Sequence, residues 1–289
     1  MLRLARFLCL ISVSFFFYTS LYAQVYPQRI ISLSSAITEE LYLLGVGDRI
    51  IGNTIYCSRP QGAKSKIKVG TVTKVNLEKV ISLKPDLILA TSLTDRRQLR
   101  KMEALKLNVV EIPAEINFKE ICKNFLKLAK LVRKEKKAEE ILKGIERKAG
   151  FIQQKAKNLP KPKVMVQIGA KPLFLATKRY FVHDFLELAG GINIAKEAKS
   201  GLYSREEILR QNPDVIILTT MGIIAEEEKI NWQKFKSINA VKNNRIYVLD
   251  AYKICSPTPV SFVVTLKEIF EILHPEVKLE GNLGEEKNI

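Results

Sequence analysis

Asn76-Leu77-Glu78-Lys79-Val80, running on to Lys84-Pro85-Asp86-Leu87-Ile88-Leu89, is echoed by Ser204-Arg205-Glu206-Glu207-Ile208, running on to Asn212-Pro213-Asp214-Val215-Ile216-Ile217-Leu218. In each stretch a Glu stands seven residues ahead of a proline, an Asp follows the proline, and an apolar run begins at once. The two copies lie too far apart for a solenoid. They predict two similar lobes, each with one helix, one strand and one acidic residue in the same local position.

Working outward from the first copy, Arg29–Leu33 is a short strand, and Ser34-Ser35 caps a helix with Glu39 near its third position. Gly45 and Gly47 stop that helix, Ile50-Ile51 opens the next strand, and a loop follows at Tyr56-Cys57-Ser58-Arg59-Pro60. A basic helix around Arg96–Leu105 and a strand at Val109–Ile112 continue the alternation. Short apolar strands alternating with helices predict a parallel sheet covered on both faces. From Phe118 the pattern turns purely helical, with one apolar face on Ile121, Phe125, Leu128 and Leu131 and a second on Ala138, Ile141, Leu142, Ile145, Ala149 and Ile152. The second of these helices, about Glu135 to Asn158, would be about 35 Å long, enough to cross a small domain.

Beyond Pro160 and Pro162 the βα alternation resumes around the second copy: a strand at Val164–Ile168, a helix at His183–Ala189 closed by Gly190-Gly191, and strands at Val215–Thr219 and Arg245–Leu249. A helix over Leu266–Leu273 ends at His274-Pro275. The expected organisation is therefore a targeting segment over 1–23, an α/β lobe over 24–117, a helical linker over 118–160, a second α/β lobe over 161–279 and a polar tail over 280–289. The fold class is α/β: two Rossmann-like lobes with parallel sheets, joined by a single long backbone helix, with a ligand cleft between them.

Arg3 and Arg6 ahead of the apolar run from Phe7 to Tyr18, with Ala23 at the cleavage position, predict a cleaved export signal. The run falls short of the roughly 20 residues a membrane span requires, and Cys9 lies inside it, a poor place for lipid attachment. Three cysteines then remain, Cys57, Cys122 and Cys255; export permits a disulfide, but no spacing resembles a disulfide scaffold. The net charge of +17 comes from lysines scattered among glutamates. That predicts a solvated charged surface, with attraction to an anionic ligand as the alternative and no nucleic-acid partner.

No catalytic constellation emerges. The chain has two histidines, His183 and His274, each at a helix end, and no HExxH, phosphate-binding loop or G-x-S-x-G elbow. Two clusters remain on loops at the ends of parallel strands, where open α/β sheets bind ligands. Tyr56-Cys57 stands in the first half; Phe174, Tyr180-Phe181 and Tyr252 through Cys255 stand in the second. Aromatic groups on both walls of a cleft suit a large ligand with flat apolar faces, although core packing is an equal rival for Phe174 and Phe181.

Ile30-Ile31-Ser32-Leu33-Ser34-Ser35-Ala36-Ile37-Thr38-Glu39 resembles the opening strand and helix of periplasmic binding proteins for cobalamin and ferric siderophores. Both copies of the repeat, and Leu188-Ala189-Gly190-Gly191 followed by Asn193-Ile194, resemble further signatures of that family in the right order, from about residue 28 to 275. The cobalamin-binding branch is the nearest likeness. The resemblance implies a monomeric, exported periplasmic protein with no catalytic role and no resident cofactor or metal. It would capture a metal chelate, cobalamin or another corrinoid first and a ferric siderophore or haem second, and deliver it to an ABC permease dimer in the inner membrane. Bare zinc or manganese is disfavoured for want of histidines. A two-lobed enzyme acting on a metal complex is the alternative from another class.

The resemblance also implies roles for single residues. Glu78 and Glu206 would dock onto permease arginines, although each Glu also suits the positive end of its own helix dipole. Tyr56 and Phe174 fall at aromatic cleft positions, and Tyr252 joins them as a candidate ligand contact; Cys57 and Cys255, on loops expected at opposite sides of the cleft, are further candidates by that placement alone, with a structural thiol as the alternative for each. The pattern departs from the family elsewhere: Val72 and Ser200 stand where tryptophans are expected ahead of each Glu, and Ser256-Pro257 is followed by Thr258-Pro259-Val260 without an arginine.

Overall fold

In a computed structural model, which describes residues 26–219 and 224–279, the apolar runs become the strands of two five-stranded sheets. The first sheet comprises β1 (Ile30–Ser32), β2 (Ile50–Asn53), β3 (Ile67–Lys68), β4 (Leu87–Thr91) and β5 (Val109–Ile112). Their order is β3-β2-β1-β4-β5 and every pairing is parallel. The second comprises β6 (Lys163–Ala170), β7 (Leu173–Leu175), β8 (Ile192–Asn193), β9 (Val215–Leu218) and β10 (Ile246–Val248). It runs β10-β9-β6-β7, with β8 beside the start of β6. All residues of β9 and the first four of β4 are buried, as helices on both faces of a parallel sheet require. The targeting segment 1–23 and the tail 280–289 lie outside the described residues.

The repeated Pro-Asp does the same work in both lobes. Asp86 accepts hydrogen bonds from the main-chain N–H groups of Gln28 and Arg29 at 2.7 and 3.0 Å, and Asp214 accepts one from Lys163 N–H at 2.8 Å. Each carboxylate thus ties the start of its own strand to the start of the first strand of the sheet. The preceding residues, Lys84 and Asn212, share a left-handed backbone with φ of 47° and 48°. That turn brings the chain from helix to strand, and the side chains of Arg29 and Lys163 reach the carbonyls it leaves open, those of Leu83 and Lys84 in one lobe and Gln211 in the other.

The linker is two helices, Phe118–Val132 and Glu135–Ala156, turned at Arg133 with φ of 59°. The second is about 33 Å long, and its buried face, Ala138, Leu142, Ile145, Ala149 and Ile152, is the one the periodicity marks. Ala138 and Leu142 enter the first lobe's core, and Ile145, Ala149 and Ile152 the second's. A stack of three rings fastens the joint: Phe262 lies 4.4 Å from Phe118 and 4.1 Å from Phe185 between ring centroids. Phe118 N–H also donates to Asp184 of the second lobe at 2.7 Å. Each stacked pair adds about 0.5–1.5 kcal/mol beyond its buried area.

Several local expectations need correction. The second sheet is not wholly parallel, because β6 turns back through Lys171-Pro172 into the antiparallel β7. A helix that the alternation did not announce, Ile224–Gln233, holds Trp232 wholly buried, with its indole N–H donating to Gln167 at 2.8 Å. Ser34 makes no side-chain cap, its neighbour Ser35 donating instead to Tyr56 carbonyl at 3.2 Å. The final helix begins at Pro259, where Thr258 and Ser261 form a capping box.

Candidate ligand cleft and docking surface

Every parallel strand of the two sheets ends in a loop on the side where open α/β sheets hold ligands. After β2 the chain makes a tight turn, with Cys57 N–H donating to Thr54 carbonyl at 3.1 Å, and this lifts Tyr56 into solvent at 55 % exposure. Cys57 turns the opposite way. It is 1 % exposed and its thiol receives the Thr38 hydroxyl at 3.2 Å, with Thr54 hydroxyl also at 3.2 Å. The expectation that Cys57 contacts a ligand is therefore corrected: the thiol fastens the turn beneath Tyr56 and offers no atom to the gap.

On the second lobe, β7 carries Phe174, half-buried, with the exposed ring of Tyr180 set edge-on at 6.2 Å. A Cβ at Gly201 would lie 2.4 Å from the Phe174 ring, so only glycine lets the ring settle there. Phe174 also bridges to Leu202, which is 55 % exposed. Phe181 instead packs edge-on against Phe185 and joins the core.

Tyr252 and Cys255 belong to a short helix, Ala251–Cys255, capped by the Asp250 carboxylate accepting Tyr252 N–H at 2.7 Å. Cys255 is exposed, and its thiol lies 4.0 Å from the Thr219 hydroxyl. The sequence placed these residues on a loop. The structure finds a built contact between lobes: the Arg59 guanidinium stacks 3.9 Å over the Tyr252 ring and donates to Asp250 at 3.5 Å. Burial, with the charge of Glu39 second, pushes the Tyr252 hydroxyl up to about 12, so it stays a neutral phenol. Cys57, Cys122 and Cys255 are all free thiols.

Arg59 makes a contact between the lobes that sequence reasoning passed over. Ile55 and Leu93, exposed at 54 % and 71 % on the loops after β2 and β4, were passed over too. Large apolar side chains on strand-end loops are a usable signal, since nothing in a monomer's core asks for them there. Arg59 carried no such signal.

Glu78 and Glu206 occupy matching places, each in the first turn of its helix and each exposed. Asn76 and Ser204 cap those helices by accepting Lys79 and Glu207 N–H at 3.0 and 3.2 Å. Hydrogen bonds from its own backbone and from Ser204 hold the Glu206 carboxyl below its ordinary range. Among the described residues neither carboxylate joins an ion pair within the chain. Among those residues there is also no group of three His, Cys, Asp or Glu side chains placed to hold a metal ion.

This geometry has close counterparts. An uncharacterized ABC transporter substrate-binding lipoprotein of Bacillus subtilis is 31 % identical over 260 residues, covering 86 % of this chain and 81 % of that protein. A vitamin B12-binding protein of Pectobacterium atrosepticum is 28 % identical over 267 residues, covering 87 % and 94 %. A possible iron-binding, periplasmic solute-binding protein of Staphylococcus epidermidis superposes with a TM-score of 0.76 at 29 % identity, over 86 % of this chain and all of that one. The family model described as periplasmic binding protein matches residues 30–253, and with two parallel-sheet lobes on one backbone helix the chain belongs to that family.

Proposed function

We propose that the protein captures a corrinoid, cobalamin first, in the cleft between its lobes and hands it to an ABC permease. Its family is one of binding proteins, not enzymes. The observation that carries the ligand class is the presence of solvent-accessible aromatic groups on both lobes, Tyr56 on one and half-buried Phe174 with exposed Tyr180 on the other. Flat apolar rings on two walls suit the faces of a planar macrocycle better than a hydrated ion. The relatives named for vitamin B12 binding support the corrinoid within that class.

Glu78 and Glu206 then serve as the two contacts with the permease. Two unpaired carboxylates on a body stiffened by the Phe118–Phe262–Phe185 stack make a two-point plug for basic sockets. Export by a cleaved signal over 1–23 completes the reading and places the protein on the permease's outer side.

A ferric siderophore is the second reading, favoured by the 29 %-identical structure named as possibly iron-binding. Calorimetric titration of the mature protein with cobalamin, cobinamide, haem and ferric siderophores decides between them. Saturable one-to-one binding of a corrinoid is the expected result. No heat with either corrinoid, alongside binding of a siderophore, would transfer the assignment to iron.

A further inference from the structure

Beside the Arg59–Tyr252 contact, a groove of about 640 Å³ runs between the lobes along the backbone helix. Four cationic side chains line it from every part of the chain: Arg59 and Lys64 from the first lobe, Lys148 from the backbone helix and Lys253 from the second lobe. One carboxylate, Glu39, lines it with them. Arg59 and Lys253 have partners in Asp250 and Glu268, at 3.5 and 2.7 Å. Lys64 and Lys148 form no ion pair among the described residues.

The helix Pro259–Leu273 contributes Val260, Val263 and Thr265 to the lining. Thr265 is wholly buried, and its hydroxyl has no hydrogen-bond partner. Buried hydroxyls are nearly always satisfied, and this one belongs to a residue of the groove's lining. Unpaired ammonium groups, an unpartnered hydroxyl and apolar side chains in one lining describe a definite chemistry.

We propose that this groove is a second ligand site, separate from the aromatic cleft, for a small amphipathic anion: a carboxylate or phosphate on a compact apolar body. Lys64 and Lys148 meet the anionic group, Ile145, Val260 and Val263 cover the apolar body, and Thr265 supplies a hydroxyl to a polar atom. The inference does not depend on which chelate fills the cleft. The anion is either a free solute or an acidic arm of the cleft ligand.

Calorimetry on the intact mature protein with phenyl phosphate, inorganic phosphate and benzyl alcohol tests it. Phenyl phosphate is expected to bind at one site, more tightly than inorganic phosphate, and benzyl alcohol not to bind. The Lys64→Glu/Lys148→Glu variant should weaken phenyl phosphate by about tenfold or more, because charge-assisted contacts become repulsive. Thr265→Val, nearly isosteric, should weaken it severalfold without lowering the melting temperature. Loss of haem affinity but not cobinamide affinity in the lysine variant would identify the anion as an arm of the cleft ligand. Unchanged affinity for both, with phenyl phosphate lost, would identify a free solute. Equal binding of phenyl phosphate to wild type and the lysine variant, or no binding to either with haem affinity unaltered, would overturn the proposal.

Discussion

The guanidinium of Arg59 lies 3.9 Å from the ring centroid of Tyr252, and these two residues belong to different lobes. Together with the 3.5 Å contact to Asp250, this is a tether across the mouth of the joint. Both charged partners are well exposed, at 42 % and 59 %, so solvent screens the ion pair and the stacking contributes most. Arg59→Ala should lower stability by about 1 kcal/mol, and Arg59→Lys should recover little of it because ammonium lacks the planar stack. Urea unfolding of both variants checks this; full recovery by lysine would mean that charge alone matters.

Asp86 and Asp214 make the matching prediction within each lobe. Replacing either by Ala removes charge-assisted hydrogen bonds to the first strand of its sheet, at a cost of about 1–2 kcal/mol at these exposed strand ends. The two losses should add within experimental error, since the sites share no partner. Equilibrium unfolding of the two single variants and the double variant measures it.

The third prediction concerns pH. Glu40 is buried, and burial first, then the charges of Glu115 and Glu39, raises its pKa well above its ordinary 4.5. Glu115 is raised as well, chiefly by burial. A carboxyl raised in the folded state holds a proton that the unfolded chain has released. The stability it supports is therefore present below pH 4.5 and lost as pH rises toward the folded value. Glu40→Gln should flatten that decline, seen as a urea midpoint that changes less with pH than wild type. A steeper decline in the variant would show the sign to be wrong.

For transport, Glu78→Lys with Glu206→Lys should abolish uptake through the permease while corrinoid affinity stays within about twofold, because both carboxylates are exposed in the first turns of their helices and join no ion pair among the described residues. Uptake assays in cells carrying the variant, with calorimetry on the purified protein, separate the two. A fall in affinity would place these residues at the ligand instead.

Much of the architecture was legible because its signals are local. The 3.6-residue apolar period picked out the buried face of the backbone helix, although Ile141 is only partly buried and buried Ala156 was not named, and the Pro-Asp repeat marked both helix-to-strand turns. The β7 hairpin and the helix around Trp232 were missed for the same reason. Leu173–Leu175 is too short to show a period, and the helix Ile224–Gln233 has no clear apolar stripe, because Trp232 and Glu228 are both buried inward, Glu228 held by Arg205 at 2.9 Å. Tyr56 stands on the loop where the sequence put it, whereas Phe174 lies in β7 and Tyr252 in a short helix, and Cys57 does not face the gap, because two threonines already hold its thiol.

By itself, then, the sequence determined two lobes, the helix that joins them and the twin placement of Glu78 and Glu206, since caps, turns and apolar periods act within a few residues. Only the tertiary structure decided that Cys57 turns inward, that Arg59 reaches Tyr252, and that Lys64, Lys148 and Thr265 share one groove. Those outcomes depend on loops and helices far apart in the chain converging in space. Which side chains meet there is set by the packing of the joint, in particular the Phe118–Phe262–Phe185 stack, and no local pattern encodes it.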